Sequence, residues 1–295
     1  MNIMRPVSPK SMNIIHEFIS SPNTVSLNPK TIKEYAGDLR HFIGWHEYKS
    51  INSKVSVTEF NFHQISEAEL FAYKKAMQEV AELKIATINR RLVTLKMFFE
   101  WAVEQGYLDT NPSLNLKLLT PEKILPRQIS ANEEKMLIEA VTQNGSLRDQ
   151  AIIKIMLNTG LKTSEVCQIL RTDLELTKRK GFLNIKNDEG LRRIPLNPVC
   201  RDILGKYSAT LTTQAVFLFP SEKTGEMLGA RALRHIIRKY MKIAGLDDHN
   251  SLSIRHRFGY SKALTTPIHK LAEIMGHNNL SSTMVYLKQG DNEES

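Results

Sequence analysis

Gly276-His277-Asn278-Asn279-Leu280-Ser281-Ser282-Thr283-Met284-Val285-Tyr286 follows an apolar run, Ile268–Met275, whose spacing predicts a helix. Alone, Gly276 reads as a helix C-cap and Tyr286 as a packing residue. Three segments upstream give the stretch its context. The first is Thr159-Gly160-Leu161-Lys162-Thr163-Ser164-Glu165-Val166. The second is a predicted β-hairpin over 181–196: Phe182, Asn184 and Lys186 alternate with Leu183 and Ile185, Asp188-Glu189-Gly190 turns the chain, and the return strand ends at Pro195. The third is Leu252-Ser253-Ile254-Arg255-His256. Apolar spacing predicts helices over about 198–207, 230–244, 253–264 and 281–287 around these segments.

The first part of the chain reads as helical from Asn28 onward. Ile32, Tyr35, Leu39, Phe42, Ile43 and Trp45 share one helical period, Leu70, Tyr73 and Met77 a second, and Ile88, Leu92, Leu95, Phe98, Phe99 and Ala102 a third. A stretch with two prolines, 119–126, then joins two predicted domains. Beyond it, Ser130 and Glu133 have the spacing of a capping box, and helices are expected through 137–141 and 149–158.

Composition narrows the function. The 295 residues are 41% hydrophobic and 24% charged, which fits a globular chain and argues against disorder. Cys167 and Cys200 are the only cysteines, so no disulfide scaffold is expected. No signal-peptide core or membrane-spanning run is found, so a soluble, cytoplasmic protein is expected. The net charge is +9, of which +7 falls after residue 120, so a polyanion, with nucleic acid first, is the partner to expect. There is no Gly-x-Gly-x-x-Gly, P-loop or metal-ligand cluster, so neither a cofactor nor a metal is expected.

The order and spacing of the four segments resemble the tyrosine recombinase, or phage integrase, family. That family carries an arginine in a TGLR-x-SE segment, a lysine on a β-hairpin, H-x-x-R-H, and then GH with a tyrosine nine residues after the His; here His277 and Tyr286 are nine apart. The resemblance extends to Thr87–Leu92 and Asn111-Pro112, which look like the closing helix of the family's core-binding domain, and to Leu125-Pro126-Arg127 as its linker. It implies a mainly α fold: a SAM-like helical core-binding domain over 1–118, a linker over 119–127, and a mostly helical catalytic domain with a small β-hairpin sheet over 128–295, together a C-shaped clamp on DNA.

The resemblance also implies an enzyme, a site-specific DNA recombinase. Tyr286 is the nucleophile, Lys162, Arg255 and His277 stabilise the phosphate, and Lys186 protonates the leaving 5′ hydroxyl. Glu165 supports the helix behind Lys162. Arg231, Arg234 and Arg238 recur at spacings of three and four and make a basic stripe expected to meet DNA. Arg40, Arg90, Arg91 and Lys96 are expected N-terminal DNA contacts; a solvated face of a helical bundle is the other reading of such residues. The implied partners are double-stranded DNA at a specific site and, because the family works with four active sites, a homo-tetramer on DNA. The acidic tail, with Asp291, Glu293 and Glu294, offers little apolar area, so the free protein is expected to be a monomer.

Three positions depart from the family. Lys162 replaces the first arginine, keeping the charge but losing the planar two-pronged donor. Leu252 replaces the His of H-x-x-R; His256 lies roughly 100° around the helix from Arg255 and looks a poor substitute, and His249 could serve only through a folded-back loop. The hairpin lysine falls at Asn187 in the usual register and at Lys186 with a turn one residue shorter; Lys186 is preferred because an amide cannot act as a general acid. These departures support a second reading, a catalytically impaired recombinase-like DNA-binding protein. An RNA-binding helical protein is a third, without a visible stacking platform to favour it.

Overall fold

The structure is a computed structural model and describes residues 7–52, 59–121, 125–187 and 190–287, with backbone only at 49–52 and 187. The expected turn at Asp188-Glu189, part of the linker (122–124) and the acidic tail at Asp291–Ser295 lie outside the described residues. Internal contacts divide the chain into two units, Met1–Lys123 and Ile124–Ser295.

The first unit is helical: α1 (Pro9–Ile19), α2 (Pro22–Val25), α3 (Pro29–Asn52), α4 (Glu67–Glu79) and α5 (Ile85–Glu104). Its core is largely aromatic. Phe18, Phe42, Tyr73, Phe98 and Phe99 are all fully buried, and Phe42 packs edge-on against Tyr73 at 5.0 Å between ring centroids. The helical periods place Phe42, Tyr73, Phe98 and Phe99 inward, as the spacing predicts. Helix α1 is not anticipated by the sequence reading. Ser8 caps it, Pro9 sits at its first position, and the buried Glu47 on α3 accepts hydrogen bonds from the Ser8 and Ser11 hydroxyls.

In the second unit, α6 (Ala131–Asn144) opens with the expected capping box: Ser130 and Glu133 exchange hydrogen bonds of 3.2 and 2.7 Å. Helix α7 (Leu147–Thr159) buries Ala151, Ile152, Ile153, Ile155 and Met156, a face far broader than the stripe of a surface helix. Helix α8 (Thr163–Gln168) leads to a three-stranded antiparallel sheet in the order β1 (Leu174–Leu176), β2 (Gly181–Asn187), β3 (Gly190–Pro195). The expected hairpin therefore gains a third strand. The chain continues through α9 (Pro198–Ser208), α10 (Ala230–Ile243), α11 (Ser251–Ala263), α12 (Ile268–Met275), α13 (Ser281–Met284) and a 3-10 turn over Val285–Leu287. A separate small apolar cluster joins Phe258, Tyr260, Leu271, Met275 and Tyr286. Among the described residues no helix is long and apolar enough to cross a membrane.

Candidate active site

Two left-handed glycines shape the site. Helix α7 ends at Gly160 (φ +63°) and α12 at Gly276 (φ +60°), a conformation that L side chains adopt at a cost. Space is tight at both. A Cβ on Gly160 would lie 2.3 Å from the Phe258 ring, and one on Gly276 would lie 2.7 Å from the Arg192 guanidinium. The turns behind them deliver Lys162 and His277.

Arg255 ties these turns together. It is 5% exposed on α11, and its guanidinium donates to the Gly160 carbonyl and, at 2.7 Å, to the Met275 carbonyl. Lys162 Nζ reaches the Gly276 carbonyl at 3.3 Å from an exposed position. Glu165 lies behind it, and its carboxylate accepts from the Lys162 amide at 2.7 Å.

Residues 252, 255, 256 and 259 lie at the i, i+3, i+4 and i+7 positions of one face of α11. This overturns the expectation for His256. Its offset from Arg255 places it one helical turn below Leu252, on the cleft side, and its Nδ1 lies 2.9 Å from the Tyr286 hydroxyl. Leu252 itself is exposed at the helix start. Gly259 completes the face, with the Tyr286 ring flat against its backbone; a Cβ there would meet Cζ at 2.5 Å. Tyr260 packs edge-on to the same ring at 5.0 Å, and the His277 ring lies nearly parallel to it at 6.3 Å. His277 Nδ1 is 2.7 Å from the buried Thr283 hydroxyl.

Lys162, Arg234, Leu252, Arg255, His256, His277 and Tyr286 line one open cleft of about 600 Å³. Burial, reinforced by the Arg255 charge, brings both His256 and His277 down to about 4, so both rings are neutral near pH 7. Burial raises the Tyr286 phenol while Arg255 pulls it back. Among the described residues no cluster of His, Cys, Asp or Glu is placed to hold a metal ion.

Some expected residues lie elsewhere. Lys186 is exposed on β2 and does not line the cleft, because Ile185 takes the inward position beside it. His249 is buried against Glu133 at 3.4 Å instead of replacing Leu252. Arg91 is corrected as a DNA contact: it is buried, with Nε 3.5 Å from the buried Asp38 carboxylate. Arg90 also pairs with Asp38, at 2.6 Å, but keeps about a third of its side chain exposed. Arg40 and Lys96 are half-buried. Arg231, Arg234 and Arg238 are all exposed on α10, opposite the buried Leu233, Ile237 and Tyr240.

Sequence reasoning misses Arg192, Gly259 and Thr283. Arg192 pairs with Glu165 at 2.9 Å and donates from Nε to the Ile274 carbonyl. Its register offers a signal: it lies opposite Ile185 and two residues from Ile194, so it is a charge on the inward face and needs a buried partner.

Two consequences can be measured. Gly259→Ala should disturb the tyrosine: helix propensity alone favours alanine by about 1 kcal/mol, whereas overpacking costs about 1–3 kcal/mol. A lower melting midpoint is expected, and an unchanged or raised one would show that the ring moves aside freely. His41, on α3, is also depressed to about 4 by burial. The native state thus keeps His41, His256 and His277 neutral where the unfolded chain, with an ordinary value of 6.5, takes up protons. Their contribution is complete above about pH 6.5 and is lost as the pH falls towards 4. Denaturant midpoints across that range should fall, and His277→Asn should flatten the slope; an equal slope would contradict the assignment.

Residues 127–293 match the model of the phage integrase family, and residues 14–109 match its N-terminal SAM-like domain. The tyrosine recombinase XerC of Pelotomaculum thermopropionicum is 26% identical over 273 residues, covering 88% of this chain and 87% of the relative. That of Thermodesulfovibrio yellowstonii is 26% identical over 214 residues, covering 68% and 70%. Among solved structures, the fold is similar to a lambda integrase dimer bound to a COC' core site, with a TM-score of 0.73, 15% identity, and coverage of 99% of this chain and 80% of that one. It is also similar to the XerH site-specific recombinase bound to palindromic difH substrate in a post-cleavage complex, with a TM-score of 0.72, 16% identity, and coverage of 99% and 97%.

Proposed function

The chain belongs to the phage integrase family, and from that premise we propose that it is a site-specific DNA recombinase that cleaves and rejoins DNA through a 3′-phosphotyrosyl intermediate. The observation that supports this best is the Tyr286 hydroxyl held by His256 in a cleft shared with Arg255, His277 and Lys162.

A phosphodiester is anionic and resists attack, so catalysis without a metal needs positioned donors on the non-bridging oxygens. Arg255 supplies a fixed charge that does not deprotonate. With the Thr283 hydroxyl donating to Nδ1, His277 keeps its proton on Nε2, available to a phosphate oxygen. Lys162 adds a mobile point charge in place of the missing fork. Tyr286 attacks phosphorus and the bond to the 5′ oxygen breaks. The phosphotyrosine retains the bond energy, so rejoining by the free 5′ hydroxyl requires no ATP. Lys186 delivers the leaving-group proton only if β2 and β3 turn it into the cleft on DNA.

In this reading residues 1–118 and 128–295 are separate domains that both contact the duplex, Arg231, Arg234 and Arg238 meet its backbone or bases, and Arg90 and Lys96 add contacts from the first domain. The protein is a cytoplasmic monomer that assembles as a tetramer on DNA and integrates, excises or resolves a mobile element.

A second reading, a recombinase-like protein that binds without cutting, is favoured by the exposed Leu252 and by Lys186 lying off the cleft. A nicked duplex carrying the segment footprinted beside the protein's own gene separates the two. Recombination predicts an SDS-resistant adduct on the 3′-phosphate side; binding alone predicts a mobility shift without an adduct. Either reading requires salt-sensitive binding: with ~6–10 phosphate contacts, affinity should fall roughly 10³–10⁵-fold between 50 and 200 mM salt, and a flat response would refute both.

A further inference from the structure

We propose that His256 is the general base of this site, taking the Tyr286 hydroxyl proton through Nδ1 as the oxygen attacks the scissile phosphate. The proposal rests on the recombinase reading and names a catalytic group that the departure at Leu252 leaves open.

Three observations lead to it. His256 Nδ1 is 2.9 Å from the Tyr286 oxygen, within reach for proton transfer before any rearrangement. The other histidine beside the phenol, His277, is engaged through its Nδ1 with Thr283, and its ring lies nearly parallel to the phenol at 6.3 Å. Leu252, one turn above His256 on the same face, has no atom that can accept a proton. A base is therefore present on the required face, four residues beyond the apolar position.

The groups facing His256 suit the role. Arg255 adjoins it on α11, Tyr286 comes from the 3-10 turn, His277 follows α12, and Lys162 and Arg234 line the same cleft. Burial and the Arg255 charge keep the imidazole neutral, so one ring nitrogen carries a lone pair able to take a proton when DNA arrives. The entering phosphate brings negative charge beside the ring and raises its basicity during attack. The proton balance closes: the Tyr286 O–H bond breaks and Nδ1 gains the proton, the phosphorus–tyrosine oxygen bond forms, the phosphorus–5′ oxygen bond breaks, and the 5′ oxygen takes a proton from water in the open cleft. His256 then releases its proton to solvent.

The test measures the rate of adduct formation on the nicked duplex with His256→Asn, whose amide oxygen can still accept a hydrogen bond from Tyr286 but cannot take its proton at neutral pH. A general base predicts a fall of roughly 10²–10⁴-fold, with DNA affinity within a few fold. A second duplex carries sulfur at the bridging 5′ position, so that the leaving group departs as a thiolate without protonation. The defect should persist on it, because the missing group acts on the nucleophile. A His256→Asn rate within about threefold of the parent would reduce His256 to a holder of the ring, and full rescue by sulfur would move its role to the leaving group; either overturns the proposal. If the variant fails to fold, ¹⁵N shifts of His256 in the intact parent decide: an unprotonated Nδ1 and protonated Nε2 at pH 7 support it, and a protonated Nδ1 refutes it. Failure of the recombinase reading would show differently, as a parent protein that binds the site yet forms no adduct on either duplex.

Discussion

Tyr286→Phe should leave no detectable covalent adduct with DNA while holding affinity within a few fold of the parent. Phenylalanine keeps the ring against Gly259 and edge-on to Tyr260, so the cleft should retain its shape. The change deletes the nucleophilic oxygen and one hydrogen bond, that to His256. The lost bond costs about 1 kcal/mol, which the domain should tolerate. Gel shift and SDS gel on the same nicked duplex measure both quantities; a persistent adduct would assign the nucleophile elsewhere, and lost binding would mean the hydroxyl organises the DNA surface.

Arg255→Lys should lose both stability and rate although the charge is conserved. The guanidinium reaches the carbonyls of Gly160 and Met275 at once, which a compact ammonium on a single stem cannot reproduce. One buried carbonyl left without a donor costs about 1–3 kcal/mol. The turns bearing Lys162 and His277 lose their shared tie, and the phosphate loses a planar donor. By analogy with other oxyanion sites, adduct formation should fall about 10²–10³-fold. Chemical denaturation and single-turnover rates test the two effects. Full stability in the variant would show that the turns hold their positions without the arginine.

The core of the first unit is legible in the sequence because helical spacing alone sorts Leu39, Leu70, Leu92 and Leu95 to the inside. Helix α1 is less legible because its 11 residues bury only Ser11, Ile15 and Phe18, too few apolar side chains to mark a period. Strand β1 is illegible for a physical reason: three residues, with Leu174 and Leu176 around Glu175, are too few to show a period and become a strand only by pairing with β2. At the site, the order of motifs groups Lys162, Arg255, His277 and Tyr286, and all four line one cleft.

The remainder depends on tertiary approach. Gly259 matters because a ring 27 positions later lies on it, and Arg192 because β3 faces Glu165. Neither contact leaves a trace in local spacing beyond the inward register of Arg192. His256 is different: its position is recoverable from sequence once the helical offset is counted from Leu252 rather than from Arg255. Lys186 lies off the cleft for a reason visible in the sequence, since strand alternation beside Ile185 turns it away from the core.

The central claim is that Tyr286 becomes covalently joined to a DNA 3′ phosphate. The direct measurement is mass spectrometry of the trapped adduct after nuclease and trypsin digestion. The account predicts one modified peptide, residues 271–288, carrying a nucleotide on Tyr286 and none in Tyr286→Phe. A nucleotide on any other residue, or no modified peptide from protein bound to the nicked site, would contradict it.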